Sequence, residues 1–185
     1  MKHIKNLLIV FFLIGSFQLS AQLSEKKFDL RIGAGSTLLG SGDMVTFTYE
    51  NELNYRLTPY FTSGLSFAFG KSNYGVFETS SYIQGNLSFF LSPFKNNCYN
   101  DFRLGLGISV NNVTDAYVQS EYYENGVIVD VDHVIEKRNA FGYNIIIEDS
   151  YRFSEKFLIG LKLFTQPYIN GDINSGALIK FGIFL

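Results

Sequence analysis

The chain has 185 residues, with 15 Lys and Arg against 17 Asp and Glu, and a formal net charge of -2. This weakly acidic balance excludes the basic surface that nucleic-acid binding requires, so we expect no nucleic-acid partner. The single cysteine, Cys98, excludes an internal disulfide. Aromatic residues make up 17% of the chain, yet beyond the N-terminus no apolar run is as long as a membrane helix.

The N-terminus has the pattern of a secretory signal peptide. Lys2 and Lys5 precede an apolar run that is too short to span a bilayer, and Ala21 offers a small residue for cleavage. We predict that residues 1–21 are removed, which changes the net charge from -2 to -4. An uncleaved N-terminal anchor is the alternative. No Pro/Gly/Ser-rich linker divides residues 22–185, so they are predicted to form one domain.

Eight segments of the remaining chain alternate between apolar and polar residues. A period of two is typical of a strand with one apolar face. In chain order the segments cover about residues 27–39, 45–57, 61–70, 83–91, 102–111, 141–153, 157–164 and 177–185. Their lengths fit the tilted strands of a small membrane barrel. The sequence therefore predicts an all-β fold, an eight-stranded antiparallel up-and-down transmembrane β-barrel.

The connections between these segments alternate between short turns and longer, variable loops. Turns follow the second, fourth and sixth segments, whereas the other connections are variable. An even number of strands places both termini on one side, which is the periplasm in bacterial barrels. We therefore expect the variable loops to be extracellular and the protein to lie in the bacterial outer membrane, in contact with outer-membrane lipid.

Charged residues of the strands fall on the face that is also rich in glycine. This face is predicted to line the lumen, because a narrow interior needs glycine beside long polar side chains. The predicted lumen charge network comprises Asp29, Arg31, Glu50, Glu52, Arg56, Arg103, Glu148, Arg152, Lys162 and Lys180. Four acids and six bases favour paired charges and a plugged lumen over an ion-selective pore. A soluble, lipocalin-like carrier is an alternative that requires the opposite sidedness.

Three polar residues fall on positions that this pattern assigns to the lipid-facing side. They are Asn51, Ser63 and Asp149. A polar group without a partner in hydrocarbon is costly. A bulge, a shifted strand end or the headgroup region is expected to accommodate each of them.

The strongest hairpin signal in the chain is Asn125-Gly126. A two-residue type I′ turn at this point sets the register of the fifth and sixth strands. Extended to the membrane, the register places Arg103 opposite Glu148 in the lumen. We predict that both strands continue beyond the bilayer as a protruding hairpin over about residues 112–139.

The first hairpin has two acceptable registers. A turn centred on Ser41-Gly42 opposes Arg31 and Glu52, whereas a turn one residue later opposes Asp29 and Arg56. Both registers place opposite charges together inside the barrel, so the sequence leaves the choice open.

The strand number, the alternating turns and loops, and the apolar period of the last strand resemble the small outer-membrane barrels of the OmpX and OmpA transmembrane-domain type. The resemblance covers Lys27 to Leu185, although this chain ends in Leu185 where the family usually ends in an aromatic residue. The resemblance implies that a surface protein could bind by adding a strand to the exposed edge of the extended hairpin. The composition is similar to that of exported Bacteroidota proteins.

The protruding hairpin carries the candidate contact residues. Tyr117, Tyr122 and Tyr123, with the turn residues Asn125 and Gly126, form a candidate surface for a partner. The simpler explanation of the three tyrosines is that they stabilise the hairpin through cross-strand pairs.

Asp130, Asp132, His133 and Glu136 are the candidates for a catalytic or metal-binding role. In a strand His133 projects away from both aspartates, and metal sites need converging ligands. An outer-leaflet lipid-modifying barrel enzyme is the enzymatic alternative, but no Ser-His-acid set is evident. We therefore expect a non-enzymatic, monomeric protein without cofactor or metal, acting in envelope structure or surface interaction.

Overall fold

The computed structural model describes residues 27–40, 44–73, 78–94 and 99–185, which form a closed antiparallel β-barrel. The predicted signal peptide and Cys98 lie outside these residues. The strands are β1 Phe28–Leu39, β2 Met44–Arg56, β3 Phe61–Asn73, β4 Glu78–Leu91, β5 Asn100–Glu124, β6 Val127–Arg152, β7 Phe157–Pro167 and β8 Ile173–Phe184. Each strand pairs with its neighbours in sequence, and β8 pairs with β1, so the predicted up-and-down topology is confirmed.

The barrel closes with a shear of ten residues. A row of directly opposed residues that starts at Phe28 returns to β1 at Leu38. On the way it passes through Tyr55, Ser63, Phe89, Leu106, Ile145, Thr165 and Ser175. Eight strands with this shear tilt by about 40° from the barrel axis. Such a barrel has an interior that side chains can fill completely.

The two faces of the strands differ in polarity as the period of two predicts. Leu106 is 66% exposed and Phe181 is 43% exposed on the outside, whereas Arg103 is 1% exposed inside the bore. This sidedness suits a barrel with lipid outside. The lipocalin-like alternative requires the opposite arrangement and does not fit the structure. No helix among the described residues is long and apolar enough to cross a membrane.

Several strands are longer than the sequence predicts. β4 begins at Glu78 rather than near Ile83, and β8 begins at Ile173 rather than at Ala177. Glu78 is paired with Tyr117 and Ile173 with Pro167. Backbone pairing continues beyond the apolar band, where outward-facing residues are no longer uniformly apolar. The alternation that marks a strand in the sequence is therefore lost before the strand ends.

The structure resolves the register of the first hairpin. Arg31 lies opposite Glu52, and Asp29 lies opposite Asn54 rather than Arg56. The ladder corresponds to a turn centred on Ser41-Gly42, which lie outside the described residues.

The protruding hairpin has the predicted register over most of its length. The turn at Asn125-Gly126 has positive φ angles of 53° and 80°, and Glu124 is paired with Val127. Two register shifts, at Gln119 in β5 and Val129 in β6, add one residue to each strand and cancel. Closer to the membrane Arg103 is therefore opposite Glu148, as the turn predicts.

Candidate functional site

Eight charged side chains form one continuous ion-pair network inside the barrel. They are Asp29, Arg31, Glu50, Glu52, Arg103, Glu148, Lys162 and Lys180, and none is more than 5% exposed. Four acids face four bases, so the buried network carries no net charge. Burying charges at such depth is tolerable because each has an opposite partner.

Glu52 lies at the centre of the network. Its Oε1 accepts a hydrogen bond from Arg103 Nη2 at 2.6 Å, and its Oε2 accepts one from Lys180 Nζ at 2.6 Å. Lys162 Nζ is 3.3 Å from the same Oε2. Both lysines also reach Glu50, at 2.8 Å from Lys162 and 2.9 Å from Lys180. Side chains from β2, β5, β7 and β8 therefore meet across the bore.

Arg31 connects this centre to a second group of charges. Its Nε donates to Asp29 Oδ1 at 2.6 Å and its Nη1 donates to Glu148 Oε1 at 2.5 Å. Glu148 Oε1 is also 3.0 Å from Arg103 Nη2, so Glu148 joins the two halves. Arg31 is opposite Glu52 in the ladder but contacts Glu148, 117 positions away, because its side chain crosses the bore.

Arg56 and Arg152 complete the set of ten predicted residues and are more exposed than the other eight. Both are half-exposed at the ends of their strands, on the side of the barrel opposite the protruding hairpin. The Arg152 guanidinium carbon lies 4.0 Å from the centroid of the Phe184 ring, a distance suited to a cation–π contact. Neither arginine is among the eight residues that meet at the centre.

Two polar residues outside the predicted charge set support the network. Asn54 Nδ2 donates to Asp29 at 2.9 Å and to Glu52 at 2.8 Å. Asp101 lies 3.4 Å from Arg31 and accepts a hydrogen bond from Ser92. Both occupy inward-facing positions by the period of two, which is the signal that identifies them.

The bore also contains large apolar side chains, so its lining is not uniformly charged. Phe90, Ile146, Phe164 and Leu178 form a buried cluster. The Phe90 ring lies against the Arg103 guanidinium carbon, 3.9 Å from ring centroid to carbon. A Cβ at Gly105 would lie 2.7 Å from the Phe90 ring, so the ring can occupy this position only because residue 105 has no side chain. Phe90 is not among the predicted site residues.

A third group inside the bore is uncharged and polar. The Tyr168 hydroxyl bonds to Ser109, Gln84 and Gln166 at 2.9, 3.1 and 3.3 Å. Asn174 also donates to Gln84. Tyr168 follows β7 and enters the bore beside Gly142, to which it is bridged. No sequence pattern identified this residue, because it lies beyond the last alternating position of its strand.

The mouth of the barrel at the base of the protruding hairpin carries a fourth cluster around Arg138. Its Nη2 donates to Asp115 at 2.5 Å, and its Nε lies 3.5 Å from Asp172. Ser80 also donates to Asp115. A cleft of about 270 Å³ opens here, bordered by these residues and by Glu78. None of these residues is among the predicted site residues.

The three hairpin tyrosines do not form one surface. Tyr122 is on the inward-facing side, where its hydroxyl donates to Asp132 at 2.7 Å, and this bond raises the pKa of Tyr122. Tyr123 is on the opposite side and donates to Glu121. Tyr117 is opposite Val134 near the base. The hydroxyls of Tyr122 and Tyr123 thus bond within the hairpin, and all three rings are exposed.

Asp130 and Asp132 lie on the opposite face of β6 from His133. Strand alternation separates His133 from Asp130 and Asp132, which face the other side. Across the described ranges, no group of three or more His, Cys, Asp or Glu side chains is placed to hold a metal ion.

Comparisons with known proteins identify the fold. No family model matches the sequence, and no curated protein matches it. Among solved structures, the attachment invasion locus protein Ail of Yersinia pestis is similar with a TM-score of 0.60 and 11% identity. The alignment covers 86% of this chain and 99% of Ail.

Two further solved structures have the same architecture. Neisserial surface protein A matches with a TM-score of 0.61 and 12% identity over 86% of this chain and 97% of its own. A major outer membrane protein from Thermus thermophilus matches with a TM-score of 0.59 and 11% identity, covering 83% and 98%. At these identities the likeness concerns the fold, and it shows that this chain has the architecture of small outer-membrane β-barrels.

Proposed function

We propose that this chain is an integral, non-enzymatic outer-membrane protein with a plugged lumen and a protruding hairpin that contacts a partner at the cell surface. The observation that carries the proposal is the sidedness of the barrel. Outward-facing apolar side chains such as Leu106 surround a bore whose central charges are paired and buried. Only a hydrocarbon solvent stabilises such an exterior.

Aromatic contacts at the periplasmic end support the membrane location. The Phe28 and Tyr55 ring centroids are 4.8 Å apart, and those of Phe157 and Phe181 are 5.6 Å apart. Aromatic residues are typical of the girdles at the edges of a transmembrane barrel. The similar structure from Thermus thermophilus is itself an outer membrane protein, which agrees with this location.

Membrane insertion is tested by fractionation and by electrophoretic mobility. We expect the protein in the outer-membrane fraction, extractable only with detergent, and a mobility shift between unboiled and boiled samples. Recovery from the periplasm or the medium without detergent would contradict the proposal.

The plugged lumen is supported by the crossing side chains of β2, β5, β7 and β8. We expect no steady single-channel conductance from the purified protein in planar bilayers. The double variant Arg103→Ala, Glu52→Ala removes two side chains that cross the bore. It shows whether the conductance measurement can detect an opened lumen. A steady conductance of the unmodified barrel, as large as that of this double variant, would refute a plugged lumen.

The surface role is supported by the part of β6 that extends beyond its pairing with β7. β7 pairs with β6 along Ile145–Arg152, and a bridge joins Gly142 to Tyr168. In the described part of the chain, β5 is the one strand paired with β6 along residues 127–140. This edge is about 45 Å long and suits a partner that adds a strand. The name of Ail refers to attachment, which agrees with a surface role for this fold.

The hairpin role is tested by shortening the hairpin without disturbing the barrel. Removing residues 118–124 and 127–133 joins Tyr117 and Val134, which are already opposed, through the native Asn125-Gly126 turn. We expect normal insertion and heat shift but loss of surface adhesion. Adhesion equal to that of the full-length protein would exclude the hairpin as the contact.

A further inference from the structure

A depression interrupts the lipid-facing surface of the barrel. It has a volume of about 560 Å³ and is almost entirely apolar. Its lining includes Asn51, Leu53, Leu65, Phe67, Leu87 and Ile108. Gly85 also borders it and supplies no side chain, since a Cβ there would find its nearest neighbour, Phe67 Cε2, 4.0 Å away.

Asn51 is a polar residue at the middle of this apolar face. The outward-facing residues Val45, Phe47 and Tyr49 lie on one side of it along β2, and Leu53 and Tyr55 on the other. The Tyr49 hydroxyl donates to Asn51 Oδ1 at 2.9 Å. Within the described ranges, Asn51 Nδ2 makes no hydrogen bond. An amide donor is thus left unsatisfied at the depth of the hydrocarbon.

Three other polar residues on the outer face differ from Asn51. The Ser63 hydroxyl donates to the backbone oxygen of Tyr55 at 3.4 Å, and Thr165 bonds to Ser175 at 2.7 Å. Asp149 lies near the periplasmic end of β6, close to the aromatic girdle. Asn51 therefore combines a central depth with an unsatisfied donor.

An amide in hydrocarbon requires an acceptor that acyl chains do not offer. A primary amide is self-complementary, because it carries both a donor and an acceptor with two lone pairs. Two copies of this face related by a two-fold axis would bring the Asn51 amides together, each donating to the other's Oδ1. The Phe67 ring, which is 63% exposed, protrudes beside the depression. In a dimer, the ring of each copy could enter the depression of the other.

We propose that a second copy of this chain docks on the depression, with the two Asn51 amides hydrogen-bonded across a two-fold axis. The sequence-based expectation of a monomer is replaced by a dimer in the plane of the membrane. The proposal rests on the membrane location given under Proposed function. Polar side chains act in this way between membrane-embedded segments, where water does not compete.

The first experiment measures self-association of the full chain in phosphatidylcholine vesicles by energy transfer between labelled copies, over a range of protein-to-lipid ratios. Asn51→Leu removes the amide and keeps the outward side chain apolar. We expect the dimer to dissociate at about a ten-fold higher protein-to-lipid ratio for Asn51→Leu than for the native protein. Thr165→Val, which changes a polar residue outside the depression, is the control and leaves association unchanged.

The second experiment fills the depression. Gly85→Leu adds a side chain where the monomer leaves space, so we expect native folding together with weaker association. Thiol cross-linking locates the interface: in a Cys98→Ser background, Leu65→Cys is expected to form a dimer on oxidation, whereas Leu161→Cys on β7 is not.

The heat-induced mobility shift of each sample separates this proposal from the membrane assignment. A protein that fails to insert contradicts the proposed function. A folded, inserted native protein that stays monomeric at every ratio overturns the dimer and assigns the depression to lipid. Association that is equal in the native protein and in Asn51→Leu also overturns it.

Discussion

The Lys180 ammonium group lies 2.6 Å from Glu52 Oε2, although 128 positions separate these residues in the sequence. Glu52 is on β2 and Lys180 on β8, so their contact crosses the bore rather than following the ladder. This contact joins β8, the last strand in the sequence, to β2. The buried network is consequently a property of the closed barrel.

Loss of the central carboxylate is expected to destabilise the barrel. Glu52→Gln leaves three acids against four bases and is predicted to lower the free energy of unfolding by about 3–5 kcal/mol, because one buried positive charge is no longer balanced. Urea titration in lipid vesicles measures this change. Lys180→Met in the same chain restores the balance and should recover part of the loss. Glu124→Gln on the exposed hairpin is the control.

The glycine beside Phe90 is expected to be required for its packing. Gly105→Ala is predicted to cost about 1–3 kcal/mol in unfolding free energy, because the new Cβ would meet the Phe90 ring. Phe90→Leu should relieve the clash in the double variant. Gly85→Ala, which adds its methyl group to open space, should leave unfolding unchanged. Equal effects of the two Gly→Ala changes would contradict this account.

The hairpin tip is expected to depend on its glycine without affecting the barrel. Gly126 has a φ of 80°, a conformation that costs other residues about 1–2 kcal/mol. Gly126→Ala should therefore accelerate amide exchange near Tyr123 and Ile128. Exchange in the membrane-embedded parts of β5 and β6 should not change. Faster exchange throughout both strands would show that tip and barrel unfold together.

The base of the hairpin is expected to depend on Arg138. Arg138→Met removes the positive charge between Asp115 and Asp172, so the two acids would repel each other. We predict faster amide exchange at the base, and high salt should reduce the difference because it screens this repulsion. Lys137→Met, on the outward-facing side, is the matched control. Unchanged exchange in Arg138→Met would show that the acids do not need this partner.

The architecture was predictable because its signals are local. Alternation along a strand identifies the outward-facing residues, and the Asn125-Gly126 turn sets a register that reaches Arg103 and Glu148. The first hairpin lacks such a turn signal, so its register required the structure. Strand ends beyond the membrane, such as Glu78, were missed because no lipid imposes an alternation there.

The contacts inside the bore were less predictable because they depend on all eight registers together. Arg31 contacts Glu148 rather than the directly opposed Glu52, an outcome set by shear and side-chain length. Tyr168 enters the bore from beyond the end of its strand. The depression at Gly85 likewise depends on neighbouring strands, because a missing side chain makes a cavity only through what surrounds it.

Closure with a shear of ten residues restricts how this gene can change in length. Deleting one residue within the membrane-embedded part of a strand would move the later side chains of that strand to the other face, unless neighbouring strands changed as well. The hairpin escapes this constraint, because its extra residues at Gln119 and Val129 cancel before the ladder reaches the bilayer. Paired insertions and deletions should therefore accumulate above the membrane, and surface properties can diverge while the embedded ring is preserved.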